Sequence, residues 1–444
     1  MAGRIAALGL GLIVLQVAHL AAAAPPETAP RPAPRADVGV TRASAPESAL
    51  RPRERLVQVS TRPAQAEGAG VDERAFRRWI EGFKARARAQ GIRADVLERA
   101  FAGVRYDADA IRRDRSQAEF TKQIWEYLDS AVSDTRVENG RAALARHRDV
   151  LARIEVRYGV EAEVVVAVWG LESAYGTHRG KTPVIAALAT LAHDGRRGRF
   201  FEAELIAALK ILQAGDTSPG AMTGSWAGAM GHTQFMPSSY LAYAQDFTGD
   251  GRRDIWADDP ADALASTANY LARHGWTKGQ PWGVEVTLPR GFDYALTGER
   301  VKKPAAEWAR LGVRATRGGA LPENGQVSIL LPAGARGAAF AIYRNFNVIE
   351  RYNPADAYVI AVGLLSDRIR GAGPLLASWP RGDRSLSRAE REEMQRRLVA
   401  RGFDPGGVDG IIGPNTIAAV RGFQRAQGMV PDGYASLEVL RRLR

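Results

Sequence analysis

The chain reads as mainly α-helical, with one large domain that contains a small β-prone part and a short three-helix domain at the C-terminus. Three observations predict this. Apolar residues recur at helical spacing through most of Val71 to Leu376, and β-prone runs are confined to Val284–Leu288 and Val327–Leu331. A Pro- and Gly-containing stretch, Ala377 to Arg384, then precedes a last segment with an apolar pattern of its own. A length of 444 residues, 45% hydrophobic and 25% charged, is enough for two globular domains.

Taken in order, Arg4, the apolar run Ile5–Val17 and the small residues Ala21–Ala24 read as a cleavable secretory signal over residues 1–24. The run is shorter than the roughly 20 residues that a spanning helix needs. Residues 25–70 are rich in Pro, Ala, Arg and Ser with few large apolar side chains, so they read as a disordered tether unable to bury a core. Helices are expected at Glu73–Gln90, Ala94–Ala100, Ser116–Ser130, Arg141–Tyr158, Glu161–Ser173, Arg199–Gln213 and Asp262–His274. The large domain spans 71–376, the linker 377–384 and the small domain 385–444.

Composition excludes some chemistry. No cysteine occurs, so disulfides, thiolate catalysis and cysteine-ligated zinc are ruled out. A net charge of +12 favours a polyanionic partner, but the arginines are scattered and neither an RNA-binding signature nor a Cys/His finger is present. Nucleic acid is therefore not expected.

The segment Glu161 to Gly176 places a carboxyl group where helical geometry makes it unusual. Val165, Val168, Trp169 and Glu172 share one helix face, so Glu172 is expected to point into the interior or a cleft. Gly176 is expected to end the helix, leaving Glu172 near its negative pole. Desolvation and the dipole both favour the protonated acid, which is what a leaving sugar oxygen requires. Further on, Gly228-Ala-Met-Gly-His-Thr-Gln-Phe-Met-Pro predicts a turn-rich wall against this helix, through Met230, Phe235 and Pro237. Asp246-Phe-Thr248-Gly-Asp250-Gly-Arg252-Arg-Asp254 matches the start of an EF-hand calcium loop. Its twelfth position is Ala257 in place of a bidentate Glu, so closure falls to Asp258, Asp259 or Asp262. The expected ligand set is Asp246, Thr248, Asp250, Arg252 and Asp262, around a structural ion.

Trp169-Gly-Leu-Glu172-Ser-Ala-Tyr-Gly176 resembles the signature of the family of membrane-bound lytic transglycosylase B and its soluble relatives. The resemblance continues through Gly228–Tyr240, Ala268-Asn-Tyr270 and Arg351-Tyr-Asn353, and covers most of residues 72–376. It implies a lysozyme-like catalytic domain with a small β-containing subdomain, acting on peptidoglycan glycan strands and stem peptides without a cofactor. It also implies one catalytic glutamate, Glu172, which protonates the leaving oxygen and then takes the proton of the muramoyl C6 hydroxyl, closing a 1,6-anhydro ring. Proximity within one sugar replaces an attacking water. By the same resemblance Ser225, Gln234 and Phe235 line the cleft, Tyr127, Tyr270, Tyr352, Asn353 and Tyr358 add hydroxyls and stacking faces, and Arg196 and Arg197 meet substrate carboxylates or peptide.

In the last segment Met394-Gln395, Leu398, Asp409-Gly410, Thr416, Phe423-Gln424 and Gly433 resemble the type 1 peptidoglycan-binding domain. An exported, periplasmic or wall-associated monomer follows, with other cell-wall enzymes as candidate partners. Two other readings stay open on sequence: a muramidase that hydrolyses the same bond with water, and a non-catalytic wall-binding scaffold.

Overall fold

The computed structural model describes residues 73–116 and 123–444, all within one compact unit. The signal and tether over residues 1–70 lie outside the described residues. Helices α1 (Glu73–Ala89), α2 (Ala94–Phe101), α3 (Ala108–Ser116), α4 (Ile124–Ala131), α5 (Asp134–Arg146), α6 (Arg148–Tyr158) and α7 (Ala162–Ser173) come first. The two-residue strand β1 (Thr182–Pro183) is followed by α8 (Val184–Asp194) and α9 (Gly198–Ala214), and pairs antiparallel with β2 (Thr223–Gly224). Helices α10 (Pro237–Tyr243) and α11 (Ala261–Arg273) complete the first half.

Helix α7 is the centre of the large core, enclosed by α5, α6, α11 and a later helix over Asp356–Arg370. Val164 through Gly170 are all buried. Val165, Val168, Trp169 and Glu172 lie on one face as expected, and neighbours cover the other faces as well, so the stretch Val164–Gly170 is enclosed on every side. Each buried valine contributes about 1.5–3 kcal/mol. The helix expected over Ser116–Ser130 starts only at Ile124, and residues 117–122 lie outside the described residues. The helix expected over Arg141–Tyr158 is two, broken at His147, whose φ of −107° leaves the helical range.

A five-stranded antiparallel sheet follows, built from β3 (Gly283–Thr287), β4 (Lys303–Pro304), β5 (Arg314–Ala315), β6 (Gln326–Leu330) and β7 (Ala339–Ile342), in the spatial order β4-β6-β7-β3-β5, with α12 (Ala305–Arg310) between β4 and β5. Alternation sorts its two faces. Phe340 and Ile342 join the large helical core, whereas Ala339 and Ala341 face a small core with Val327, Ile329 and Trp308. Two helices follow, α13 (Arg344–Tyr352) and α14 (Asp356–Arg370), and Trp282, just before β3, lies against α14 at Gly363. A Cβ there would come within 2.1 Å of the indole.

The C-terminal helices α15 (Arg388–Ala400), α16 (Pro414–Ala426) and α17 (Leu437–Leu443) enclose a third core around Met394, Leu398, Phe423 and Leu440. Ser387 and Glu390 form a reciprocal capping box at the start of α15. This module and the segment expected as a linker are docked on the large domain. Trp379 packs against Trp125 with ring centroids 6.3 Å apart, and Arg381 makes two hydrogen bonds to Asp129 at 2.7 and 2.8 Å. Asp432 accepts from the Ala335 amide at 2.9 Å, Arg421 donates to Thr297 Oγ1 at 2.6 Å, and Tyr434 donates to Gln123 Oε1 at 3.2 Å.

Candidate active site

The end of α7 departs from the expected stop at Gly176. The helix closes at Ser173, and Ala174, Tyr175 and Gly176 all take positive φ, at 48°, 58° and 85°. This hook turns Tyr175 back along its own helix. Its ring lies against Gly170, where a Cβ would sit 2.6 Å from it, and its hydroxyl donates to the Arg136 carbonyl at 2.7 Å. The Arg136 guanidinium donates in turn to the Gly170 carbonyl. Only glycine leaves room for that ring.

The hook is tied to the second motif through His232. Trp169 Nε1 donates to His232 Nδ1 at 3.1 Å, which assigns the proton to Nε2, 2.7 Å from the Ala257 carbonyl. Burial pushes this histidine below its ordinary value, in keeping with a neutral ring. Ser173 donates to the His232 carbonyl and accepts from the Gly176 amide. Among the described residues, the non-glycine positions with positive φ are Ala174, Tyr175 and Gln234, all in these two motifs. Such backbone costs about 1–3 kcal/mol per residue and clusters where function demands it.

Glu172 occupies the last turn of α7, half-buried, and its Oε1 accepts a hydrogen bond of 2.8 Å from the buried Tyr358 hydroxyl on α14. In the second motif, β-bridges Gly224–Met230 and Met230–Phe235 hold a tight loop. Ser225 Oγ caps it, accepting from the amides of Ala227 and Ala229 at 3.3 and 3.1 Å. The Gln234 amide nitrogen donates to the carbonyls of Gly231 and Arg179 at 2.8 and 3.0 Å, while its buried Oε1 has no hydrogen-bond partner.

Phe235, Tyr270 and Tyr352 form one buried aromatic cluster, with Tyr270–Tyr352 centroids 4.9 Å apart and Phe235 5.9 Å from each. The faces expected to stack on substrate are turned toward one another. Their phenols serve the backbone, Tyr352 donating to the Thr233 carbonyl at 2.7 Å and Tyr270 to the Arg351 carbonyl. Asn353 ends α13 and accepts from the Ala355 amide, which sets the entry into α14 and so the position of Tyr358. Tyr127 is half-buried on α4, packed on the large core. Arg196 and Arg197 both hold Asp114, at 3.3 and 2.9 Å, and that carboxylate is 2% exposed. The structure thus gives the arginine pair an internal anion.

Sequence reasoning assigned no role to Arg136, His232, Arg179 or Asp114. His232 stood inside a quoted motif, but nothing in its spacing announces a bond to Trp169. Arg179 donates to the carbonyls of Trp256 and Ala257 and to Asp258, joining the turn after α7 to the acidic loop.

In that loop the carboxylates of Asp246, Asp250 and Asp262 converge, with an oxygen of each within 4.8 Å of the others. Asp262 Oδ1 accepts from the amides of Phe247 and Thr248, and Oδ2 from that of Asp254. Burial and Asp246 raise its carboxyl above the ordinary range, against these bonds. A hard divalent cation suits such a donor set. Of the three closing candidates Asp262 is brought in; Asp258 pairs with Arg179, and Asp259 accepts from the Ala261 amide. Thr248 Oγ1 lies 3.4 Å from Asp246, and the Arg252 amide donates to Asp250.

Residues 75–367 match the Transglycosylase SLT domain family, and residues 387–443 a peptidoglycan binding domain family. Membrane-bound lytic murein transglycosylase B of Escherichia coli is 36% identical over 250 residues, which span 55% of this chain and 66% of that protein. The crystal structure of SltB3 from Pseudomonas aeruginosa with NAG-NAM-pentapeptide is 52% identical, with a TM-score of 0.81 over 83% of this chain and 99% of that one. The Escherichia coli lytic transglycosylase Slt35 in complex with calcium is 30% identical, with a TM-score of 0.57 over 67% of this chain and 93% of that one. On the match over 75–367, together with the hook, the glutamate and the loop that carry its motifs, this chain belongs to the SLT-domain transglycosylase family.

Proposed function

We propose that this protein is a lytic transglycosylase that cleaves the β-1,4 bond between N-acetylmuramic acid and N-acetylglucosamine in peptidoglycan, with Glu172 as both acid and base. The observation that carries the reading is the Tyr358–Glu172 hydrogen bond of 2.8 Å, which fixes the orientation of a carboxyl group at the exit of a core helix. The similarity to SltB3, with structures containing NAG-NAM-pentapeptide and NAG-anhNAM-pentapeptide, supports the sugar, the peptide and the anhydro product.

Chemically, the Glu172 carboxylic acid gives its proton to the glycosidic oxygen as the bond from C1 of the muramoyl residue breaks. The resulting carboxylate takes the proton of the C6 hydroxyl as O6 bonds to C1. The glutamate ends protonated, and no water is consumed. Gln234 offers its carbonyl oxygen to the substrate, and the Phe235, Tyr270 and Tyr352 cluster supports the loop from beneath. Asp246, Asp250 and Asp262, with Thr248 and the Arg252 carbonyl, are the residues that would hold calcium. An ion bound there would supply rigidity, and the chemistry needs no cofactor.

The C-terminal module holds the wall. Export through the N-terminal apolar run, to the periplasm or cell wall, fits a peptidoglycan substrate; among the described residues no helix is long and apolar enough to cross a membrane. The test is digestion of purified sacculi with mass analysis of the products. Anhydro ends are expected, and Glu172→Gln should abolish release; products heavier by one water would replace the lyase with a hydrolase.

A further inference from the structure

His232 stands between the two motifs that build the candidate site, and it meets α7 on both sides of Glu172. Trp169, three residues before the glutamate on the same helix face, donates to Nδ1 at 3.1 Å. Ser173, the residue after the glutamate, donates to the His232 carbonyl. Gly176, in the hook, comes so close that a Cβ there would lie 2.6 Å from the imidazole. His232 is itself anchored and 3% exposed: its amide donates to the Ile255 carbonyl at 3.1 Å, and Nε2 to that of Ala257 at 2.7 Å.

We propose that His232 is a positioning residue for bond cleavage: a neutral ring, accepting from Trp169 and donating to Ala257, fixes the last turn of α7 and with it the direction of the Glu172 carboxyl. The inference rests on the reading of Glu172 as the acid. Tyr358 reaches the carboxyl itself, whereas His232 acts on the turn that carries it. A misplacement of about 1 Å at the reacting atoms costs as much as 100-fold in rate.

The arrangement excludes the protonated ring. A proton on Nδ1 sets two donors, the indole and the imidazolium N–H, against each other across 3.1 Å. The charged and titratable groups that face the ring are Arg179, with Nη1 3.3 Å from Nε2, His147, on Trp169 with ring centroids 5.5 Å apart, and Asp258. Arg179 and His147 oppose a further positive charge. Asp258 favours one, but its side chain is 98% exposed and water screens it. From α7 and its hook come Glu172 and Tyr175, the second with its hydroxyl donated to the Arg136 carbonyl. Turnover should therefore fall as pH drops through a value below the ordinary histidine pKa of about 6.5, where the ring takes a proton and releases Trp169. Glu172 has the opposite sign, since an acid that must start protonated loses activity as pH rises.

The test combines imidazole and indole NMR of the full chain with pH profiles on soluble peptidoglycan fragments. At pH 7 the His232 ring is expected as the Nε2–H tautomer, and on acidification the Trp169 indole signal should move with the same midpoint as the loss of kcat. His232→Phe keeps the bulk of the ring without the acceptor, and should lower kcat about 10- to 100-fold with KM within about 2-fold. His232→Asn places Oδ1 where Nδ1 lies, so it should recover part of that kcat and lose the acid-side fall, which His147→Asn should keep. An Nδ1–H tautomer at pH 7, wild-type kcat in a folded His232→Phe, or an acid-side fall that survives in His232→Asn or vanishes in His147→Asn would overturn the assignment. The reading of Glu172 fails on a different result, undiminished cleavage by Glu172→Gln.

Discussion

The hydroxyl of Tyr358 lies 2.8 Å from Oε1 of Glu172, a bond between residues 186 positions apart that joins two adjacent core helices. The bond makes the carboxyl orientation a property of the α7–α14 packing. Tyr358→Phe should therefore leave the fold intact and lower kcat by about 10- to 100-fold, the worth of a hydrogen bond to a charged group. Turnover on sacculi beside a circular dichroism melt checks it; wild-type kcat in a folded variant would remove Tyr358 from the machinery.

Gly170→Ala tests the hook. The new methyl would overlap the Tyr175 ring at 2.6 Å, so either the ring or the turn must move. A loss of about 1–3 kcal/mol in stability is expected, with activity falling further than the melting point alone explains.

Calcium removal tests the acidic loop. Chelation should lower the melting temperature, and added calcium should restore it, because Asp246, Asp250 and Asp262 repel one another without a cation. Asp250→Asn should blunt the response. An unchanged melt on chelation would discard the ion.

Glu299 provides a pH test. Burial, with Glu350 and Asp356 nearby, raises its carboxyl to about 7. A raised acid favours the fold in its protonated state, so its ionisation costs stability as pH climbs from the ordinary carboxyl range through 7. Glu299→Gln should thus raise the melting temperature at pH 8 and change it little at pH 4. An equal gain at both would locate the effect elsewhere.

Docking of the small module is open to calorimetry. With Trp379 against Trp125 and Arg381 on Asp129, the wild type should melt in one transition. Trp379→Ala combined with Arg381→Ala should split it in two, the catalytic domain keeping its own melting point.

Much of this was legible in sequence where the pattern is local. A Glu among Trp, Gly and Val at the end of an apolar helix announces itself, and so do alternating aspartates before a helix. Contacts distant in the chain were not. Nothing near Arg196 and Arg197 points to Asp114, 83 residues before Arg197, as the anion they hold. The break at His147 was hidden because both α5 and α6 keep helical spacing, and spacing does not register one residue out of phase. Strand β7 escaped for a different reason: Ala339–Ile342 is buried on both faces, so it shows no alternation to read.

His232 places two distant parts of the molecule in series. Its ring accepts a hydrogen bond from Trp169 Nε1 on one side and donates to the Ala257 carbonyl on the other, in the span that follows the acidic loop. Slack introduced at the aspartates would be handed through imidazole and indole to the helix that carries Glu172, so loss of a cation held there would turn that carboxyl aside well before it unfolded the domain.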